Sequence, residues 1–373
     1  MLAEITKANK TNIDANTAAP INLTLYSMFC EIGVELNSQN VGDTSQLYPY
    51  RSFVESLLNY RKETQETRLL CEGWTKDTTG HVNVTAVGGN DAGLNARVVN
   101  FARSTVVELI GGPHADVFYQ DRLIPPNVDL NINLMPSPNN FVCKSAAPAG
   151  NVAQENFKLV ILSANLIIYN KQLTSTALKT HIKLLQLQNM RHHLSRVQMK
   201  LLTIPANQTS INFDNDFTCA FLDLVIVGLV SDADLAGGYH RNPFNFQNFG
   251  VNRFEMKRNG TSVPRKGYTP NFANKQYLKG YTTFLQELEC NTGDKSISLT
   301  WSENANRYTL YAFKITDSPI GSGTYGPRSK STTGSARLEV SFSEPVNENI
   351  KVVVYYQSPG RIEFDQFKAV LVL

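Results

Sequence analysis

One pattern occurs twice in this chain, about two hundred residues apart, and it restricts the possible folds more than any other feature. Each copy is a strand, an Asn-centred turn, a Tyr/Pro loop and an amphipathic helix. The first copy runs from Phe29 to Tyr60 and the second from Phe249 to Leu288. In the first, Ile32, Val34 and Leu36 alternate as in a half-buried strand, and Val251, Phe254 and Met256 do so less regularly in the second. Asn37 and Asn40, and the pair Asn259-Gly260, suit the positive φ of a tight turn. Beyond the turn, Tyr50, Phe53, Val54, Leu57 and Leu58 share one helical face, as do Tyr277, Tyr281, Phe284, Leu285 and Leu288. Two halves built alike imply a duplicated fold.

The rest of the chain reads as short apolar alternations separated by Gly, Pro, Asn and Asp, which favours an all-β sandwich over a parallel α/β sheet. Strands are expected at 22–36, 69–74, 104–110, 128–134, 141–144 and 157–169, with helices at 51–62 and 94–102. The second half offers strands at 197–204, 219–230, 249–257, 296–300, 307–315, 336–342, 350–357 and 361–367, eight in all, the number of a jelly roll. The fold class is therefore all-β with short capping helices, as two tandem eight-stranded jelly rolls. The division is residues 1–175 for the first, 176–194 for a linker and 195–373 for the second. The linker contains an amphipathic stretch, Ser175 to Asn189. The run Cys219 to Val230 is apolar enough for a strand buried on both faces, broken by Asp223, which calls for a polar partner.

At 373 residues with 42% hydrophobic content, the chain can bury two substantial cores. Its charged share of 18% is below the roughly 25% usual for soluble proteins, leaving wide uncharged polar surfaces. A net charge of +3 is too small for a dedicated nucleic-acid binder. The densest basic stretch, His192 to Lys200, has no aromatic residue interleaved to stack bases. It reads as a strand edge or interdomain surface. No sequence-specific nucleic-acid binding is expected. The five cysteines, Cys30, Cys71, Cys143, Cys219 and Cys290, are odd in number and lack a CxxC pair, which suits a reducing compartment rather than secretion.

Catalytic patterns are missing from the sequence. The stretch 321–326, GSGTYG, matches GxGxxG but is followed by Pro327 and a polar loop, whereas a dinucleotide fingerprint needs a helix there. Asp232 and Asp234 could give two carboxylates to Ca²⁺, but the further acids of such a site are missing, and an ordinary surface loop is the simpler reading. The histidines show neither HxH nor HExxH spacing. No catalytic residue, cofactor or metal is expected, and the role is structural or binding.

Several segments together resemble the major capsid protein, or hexon, of Polinton/Maverick elements and adintoviruses. They are YPYRSFVESLLNY (48–60), Trp74 to Asp77, and HADVFYQDRLIPPNVDLNINL (114–134). In the second half, the stretch from Gly228 to Pro264 carries NPFNF at 242–246, and Arg337 to Asp365 resembles the closing strands. The resemblance runs in order from about Ile21 to Asp365. It implies a double jelly roll, homotrimeric capsomers of pseudo-sixfold outline, and contacts with neighbouring capsomers and with penton or minor capsid proteins. The place implied is the virion capsid, with assembly in the host nucleus or cytoplasm. Such proteins carry more sequence ahead of the segment matching Ile21 to Leu36, so the first jelly roll is expected to lack its N-terminal strand or strands, as in a truncated or endogenised copy.

The aromatic loop from Tyr239 to Phe249, with Tyr239, Phe244, Phe246 and Phe249, is the candidate packing surface at a domain or subunit boundary, since aromatics dominate interface energetics. The rival reading is a jelly-roll glycan-binding or adhesion module, for which Trp74 and Trp301 are the available tryptophan platforms.

Overall fold

The computed structural model describes residues 1–372 apart from 16, 84–88, 121, 146–155, 218–221, 292–296 and 316–334. The first unit contains β1 (Leu2–Lys7), β2 (Ala18–Pro20), β3 (Phe29–Leu36), β4 (Gln39–Asn40), β5 (Val107–Glu108), β6 (Leu130–Pro136), β7 (Cys143–Ser145) and β8 (Phe157–Ser163). The second contains β9 (Met190–Ile204), β10 (Ser210–Phe217), β11 (Leu224–Ser231), β12 (Val251–Arg258), β13 (Thr261–Tyr268), β14 (Leu310–Lys314), β15 (Ala336–Phe342), β16 (Ile350–Phe364) and β17 (Val370–Val372). The chain is mostly sheet with a few short helices.

The second unit is a jelly roll of two antiparallel sheets. One has the order β10-β15-β12-β13, and in the other β16 lies between β11 and β9, with β14 on the far side of β11. Phe254 of the first sheet meets Tyr311 and Phe313 of the second edge-to-face, at centroid distances of 4.5 and 5.6 Å. These rings fill the space between the sheets, where aromatic pairs favour such geometry.

The first unit repeats this topology. β1 pairs with β5 and β8 as β11 pairs with β14 and β16. β3 pairs with β4 and β6 as β12 pairs with β13 and β15. The repeated sequence pattern is thus β3, β4 and the helix Tyr48–Leu58 in one unit, and β12, β13 and the helix Leu278–Glu287 in the other. Asn37 and Asn259 both adopt positive φ, 47° and 48°, at the equivalent reversals. Among the described residues, the first unit has no counterpart of β9 or β10.

Several local expectations need correction. Residues 22–36 do not form one strand, because Thr24–Ser27 makes a buried helical turn before β3 begins at Phe29. Of the expected strand 69–74, residues 69–72 lie in the 3-10 turn Arg68–Glu72 and Trp74 in the loop beyond it, with Leu69 buried and Leu70 exposed, a local apolar pattern that resembles strand alternation. The stretch 297–300 carries no strand and leads into the helix Trp301–Ala305, capped by Thr300 and Glu303. The expected strands 350–357 and 361–367 are one strand, β16, since β9 pairs with it from Ile350 to Phe364 without a break. β1, β2, β4, β10, β13 and β17 lie outside the expected strands. The amphipathic stretch near 175 is the helix Ser175–Leu187, and β9 begins at Met190, within the expected linker. The GSGTYG motif and Cys219 lie outside the described residues.

Candidate functional site

The best-built region is the seam between the two units, and NPFNF supplies its centre. Asn242 lies in a loop after β11, fully buried. Its Nδ2 donates to Asp77 Oδ2 at 2.8 Å and to the Val82 carbonyl at 3.2 Å, while its Oδ1 accepts from the Phe244 amide at 3.0 Å. Asp77 is held from the other side by Arg97 Nη2 at 2.6 Å, and its carbonyl accepts from Tyr308 Oη at 3.0 Å. Buried polar groups are tolerable when partnered in this way. Lys144 is also buried here, its Nζ donating to the Val82 carbonyl at 2.7 Å, and burial lowers its pKa to about 8 against the pull of Asp77 and Asp91.

The apolar half of the seam is a ring stack. Phe244 lies on Phe53 at 4.3 Å with planes 12° apart, and Tyr50 and Phe141 approach it edge-on. Phe246 packs against Tyr50 and Phe53 and over Gly228, where an added Cβ would collide with its ring. Both phenylalanines are therefore buried within one chain, between the helix Tyr48–Leu58 and the second jelly roll. Tyr239 is half-buried, its hydroxyl donating to the Phe157 carbonyl at 3.1 Å. Phe249 is half-buried with φ of 44°, ahead of β12.

Two further buried charge groups brace the same region. Asp234, read from the sequence as part of a surface loop, is instead fully buried in the short helix Asp232–Ala236. It accepts from Arg241 at 3.0 Å and Asn245 at 2.9 Å. A carboxylate spent on two donors of its own loop is not free for a cation. The second group joins residues from four separate segments, and sequence spacing links only two of those residues. Arg51 meets Glu55 at 3.0 Å and Asp116 at 2.5 Å, Glu55 meets His114 at 2.5 Å, and Tyr119 Oη lies 3.0 Å from the same ring nitrogen. Asp116 then accepts from the Val197 amide of β9 at 3.2 Å, and Tyr355 of β16 donates to Glu55 at 3.4 Å, tying the cluster to the second unit. Burial would raise the Glu55 carboxyl, but Arg51 and His114 hold it below the usual range. Burial raises Asp116, incompletely offset by Arg51. The one legible signal was Arg51 and Glu55 at i,i+4 on the amphipathic helix.

Trp74 is buried beside Phe53, though in a loop rather than a strand. A cleft of about 700 Å³ opens beside it, lined also by Lys76, Tyr281, Trp301 and Glu303. Lys76 and Glu303 pair across it at 2.8 Å. Among the described residues, no group of three His, Cys, Asp or Glu side chains could hold a metal ion, and no helix is long and apolar enough to cross a membrane. Asp223 accepts from the Ile315 amide through its backbone carbonyl at 2.9 Å, just before β11.

The fold defined by this pairing is the double jelly roll, shared with viral major capsid proteins of solved structure. The chain superposes over its whole length on a Sputnik virophage chain with a TM-score of 0.56 and 9% identity, covering 80% of that chain. The Faustovirus major capsid protein matches over 96% of the chain and 76% of its own, with a TM-score of 0.52 and 8% identity. In sequence, the chain is similar to an uncharacterized Caenorhabditis elegans protein, F54H12.2, at 21% identity over 327 residues, which is 84% of this chain and 71% of the other. No protein-family profile matches it.

Proposed function

We propose that the chain is a major capsid subunit of the Polinton/adintovirus type, assembling as a homotrimer in an icosahedral shell. The observation that carries this is the seam. Two jelly rolls of matching topology are locked by Phe244, Phe246 and Asn242, so one chain presents two similar units in a fixed orientation. Three such chains around a threefold axis give six similar units, a pseudo-sixfold block suited to tiling. The likeness in fold to the Sputnik and Faustovirus proteins and the ordered sequence resemblance support the same reading. A subunit of this kind contacts neighbouring capsomers and penton or minor capsid proteins, and its place is the virion capsid after assembly in the host nucleus or cytoplasm.

In this reading Phe244 and Phe246 act inside the subunit, while the half-buried Tyr239 and Phe249 remain available at its boundary. Light scattering of the intact protein at micromolar concentration and neutral pH tests the assembly. The expected mass is three times the 41.5 kDa of the chain. A stable monomer counts heavily against the proposal.

A glycan-binding reading has one observation in its favour. Trp301 is half exposed, lies tilted at 31° against Tyr277 with centroids 5.7 Å apart, and borders the cleft beside Glu303. Glu303 is already paired with Lys76, which weakens it as a sugar ligand. Binding of defined oligosaccharides that is lost in Trp301→Ala would favour this reading over the shell.

A further inference from the structure

Around Asn242 the seam buries an amine, a carboxamide and two carboxylates in one cluster. Lys144 lies in the middle of β7 in the first unit, paired with Ala19 of β2, while Asn242 belongs to the loop after β11 in the second. Lys144, Asn242 and Asp91 are each 1% exposed, and Asp77 is 4% exposed. The Val82 carbonyl accepts from Lys144 Nζ at 2.7 Å and from Asn242 Nδ2 at 3.2 Å, so the two nitrogens are neighbours on one oxygen. A lysine is rarely buried so completely, because its charge is costly away from water. The need of one carbonyl for a donor does not explain it, since Asn242 already meets that need.

The groups around the amine are those that an amide exchange requires. Its pKa is lowered by burial to about 8, with Asp77, Asp91 and Asp234 facing it as opposite charges and Arg97 as a like one. A lysine shifted in this way has a neutral, nucleophilic form within reach at mildly alkaline pH. Asn242 Oδ1 accepts from the Phe244 amide at 3.0 Å, a donor placed to hold the negative charge that develops when the carboxamide carbon is attacked. The nitrogen that would leave, Nδ2, is bound to Asp77 Oδ2 at 2.8 Å, and Arg97 fixes the other Asp77 oxygen at 2.6 Å.

Asp91 gives an independent indication. Its Oδ1 accepts from the Thr78 amide at 3.0 Å, but its Oδ2 is buried with no hydrogen-bond partner among the described residues. Burial and the charge of Asp77 raise its pKa, which suits a group that takes up a proton.

We propose that Lys144 and Asn242 join in an isopeptide bond that ties the two units covalently. The lysine ammonium gives one proton to Asp91. The neutral Nζ attacks Asn242 Cγ, and the Phe244 amide holds the resulting oxyanion. A proton of the attacking nitrogen passes through Asp77 Oδ2 to Nδ2, the Cγ–Nδ2 bond breaks, and ammonia leaves. One C–N bond replaces another, with no change of oxidation state and no external reactant. Exclusion of water protects the reaction from competing hydrolysis. The amine titrates only until the bond has formed. The product closes the loop between β7 and NPFNF, which restricts the unfolded chain as other cross-links do. This inference rests on the seam and does not depend on the shell reading.

Intact-mass spectrometry of the native protein, purified and then held at pH 8.5, tests it. The expected mass is that of the sequence less one ammonia, and proteolysis is expected to release a branched peptide joining Lys144 to Asn242. Lys144→Arg keeps a buried cation but lacks the nucleophile, and it is expected to retain the full sequence mass. Asn259-Gly260 can also lose ammonia, by closing to a succinimide, so the peptide map decides between the two. The proposal is overturned if the native protein retains the full sequence mass, or if the loss maps to residue 259 or elsewhere. It is also overturned if Lys144→Arg loses ammonia to the same extent.

Discussion

The Tyr50 hydroxyl donates to the Pro243 carbonyl at 3.0 Å, joining the first unit's capping helix to the loop that carries NPFNF. Both residues are in the segments that drew attention in the sequence, and the bond explains why a Tyr/Pro loop and an Asn-Pro-Phe loop occur together. Removing the hydroxyl leaves a buried carbonyl unpaired, a cost of about 1–3 kcal/mol. Tyr50→Phe is therefore expected to lower the urea midpoint modestly. Phe244→Ala removes the ring stacked on Phe53 and is expected to cost about 3–5 kcal/mol. Equal effects of the two substitutions would argue against ring packing as the main contribution to the seam.

Arg51→Met tests the buried charge cluster. It leaves Glu55 and Asp116 buried without their shared cation, a loss of about 3–5 kcal/mol near neutral pH. In the native protein Glu55 has a depressed pKa, so its contribution is present above the ordinary carboxylate range and is lost as pH falls through the depressed value. Asp116 is raised and has the opposite sign, favouring the folded state as it takes up a proton. Without Arg51 both carboxyls rise, so the deficit of the variant should shrink as pH falls from 7.5 to 5. Urea melts at the two pH values measure it, and a constant deficit refutes the electrostatic account.

Lys144 predicts an alkaline effect. Its folded pKa of about 8 lies below the ordinary 10.5. Between those values the unfolded chain holds a proton that the folded protein has released. Stability from this group therefore rises with pH across that interval, by on the order of 3 kcal/mol at most. Lys144→Met lacks the titration. Buried tyrosines oppose the trend equally in both proteins, so the quantity to measure is the difference in melting temperature between the two from pH 7.5 to 10.

Thiol labelling checks the burial of the first unit. Cys71 is exposed, whereas Cys143 is fully buried and its pKa is pushed up to about 12. A maleimide at neutral pH should modify Cys71 within minutes and leave Cys143 untouched until denaturant is added, since the thiolate is the reacting species. Rapid native labelling of Cys143, located by peptide mass, would contradict the packing of β7.

Local patterns carried much of this architecture. The alternation in 29–36 and 251–258, the Asn turns and the amphipathic helices are short-range consequences of side-chain chemistry, and they located the duplicated core. The role of Phe244 and Phe246 was legible only as an aromatic cluster, because nothing in 239–249 says that the helix Tyr48–Leu58 lies opposite. The bond from the Val197 amide to the Asp116 carboxylate and the Tyr355 contact with Glu55 were equally hidden, spanning 81 and 300 residues.

By itself, then, the chain's residue order determined that it is a β protein with a repeated strand–turn–helix unit, since periodicity and turn chemistry act between near neighbours. Only the tertiary structure decided where strands end and which charges are buried. Leu2–Lys7 becomes a strand because Phe157–Ser163 and Val107–Glu108 flank it. Leu166 to Tyr169, as rich in strand-forming residues, has no such neighbour among the described residues and remains outside the sheet. A β-strand's hydrogen bonds belong to the pair and not to the segment, so its final extent depends on what lies beside it.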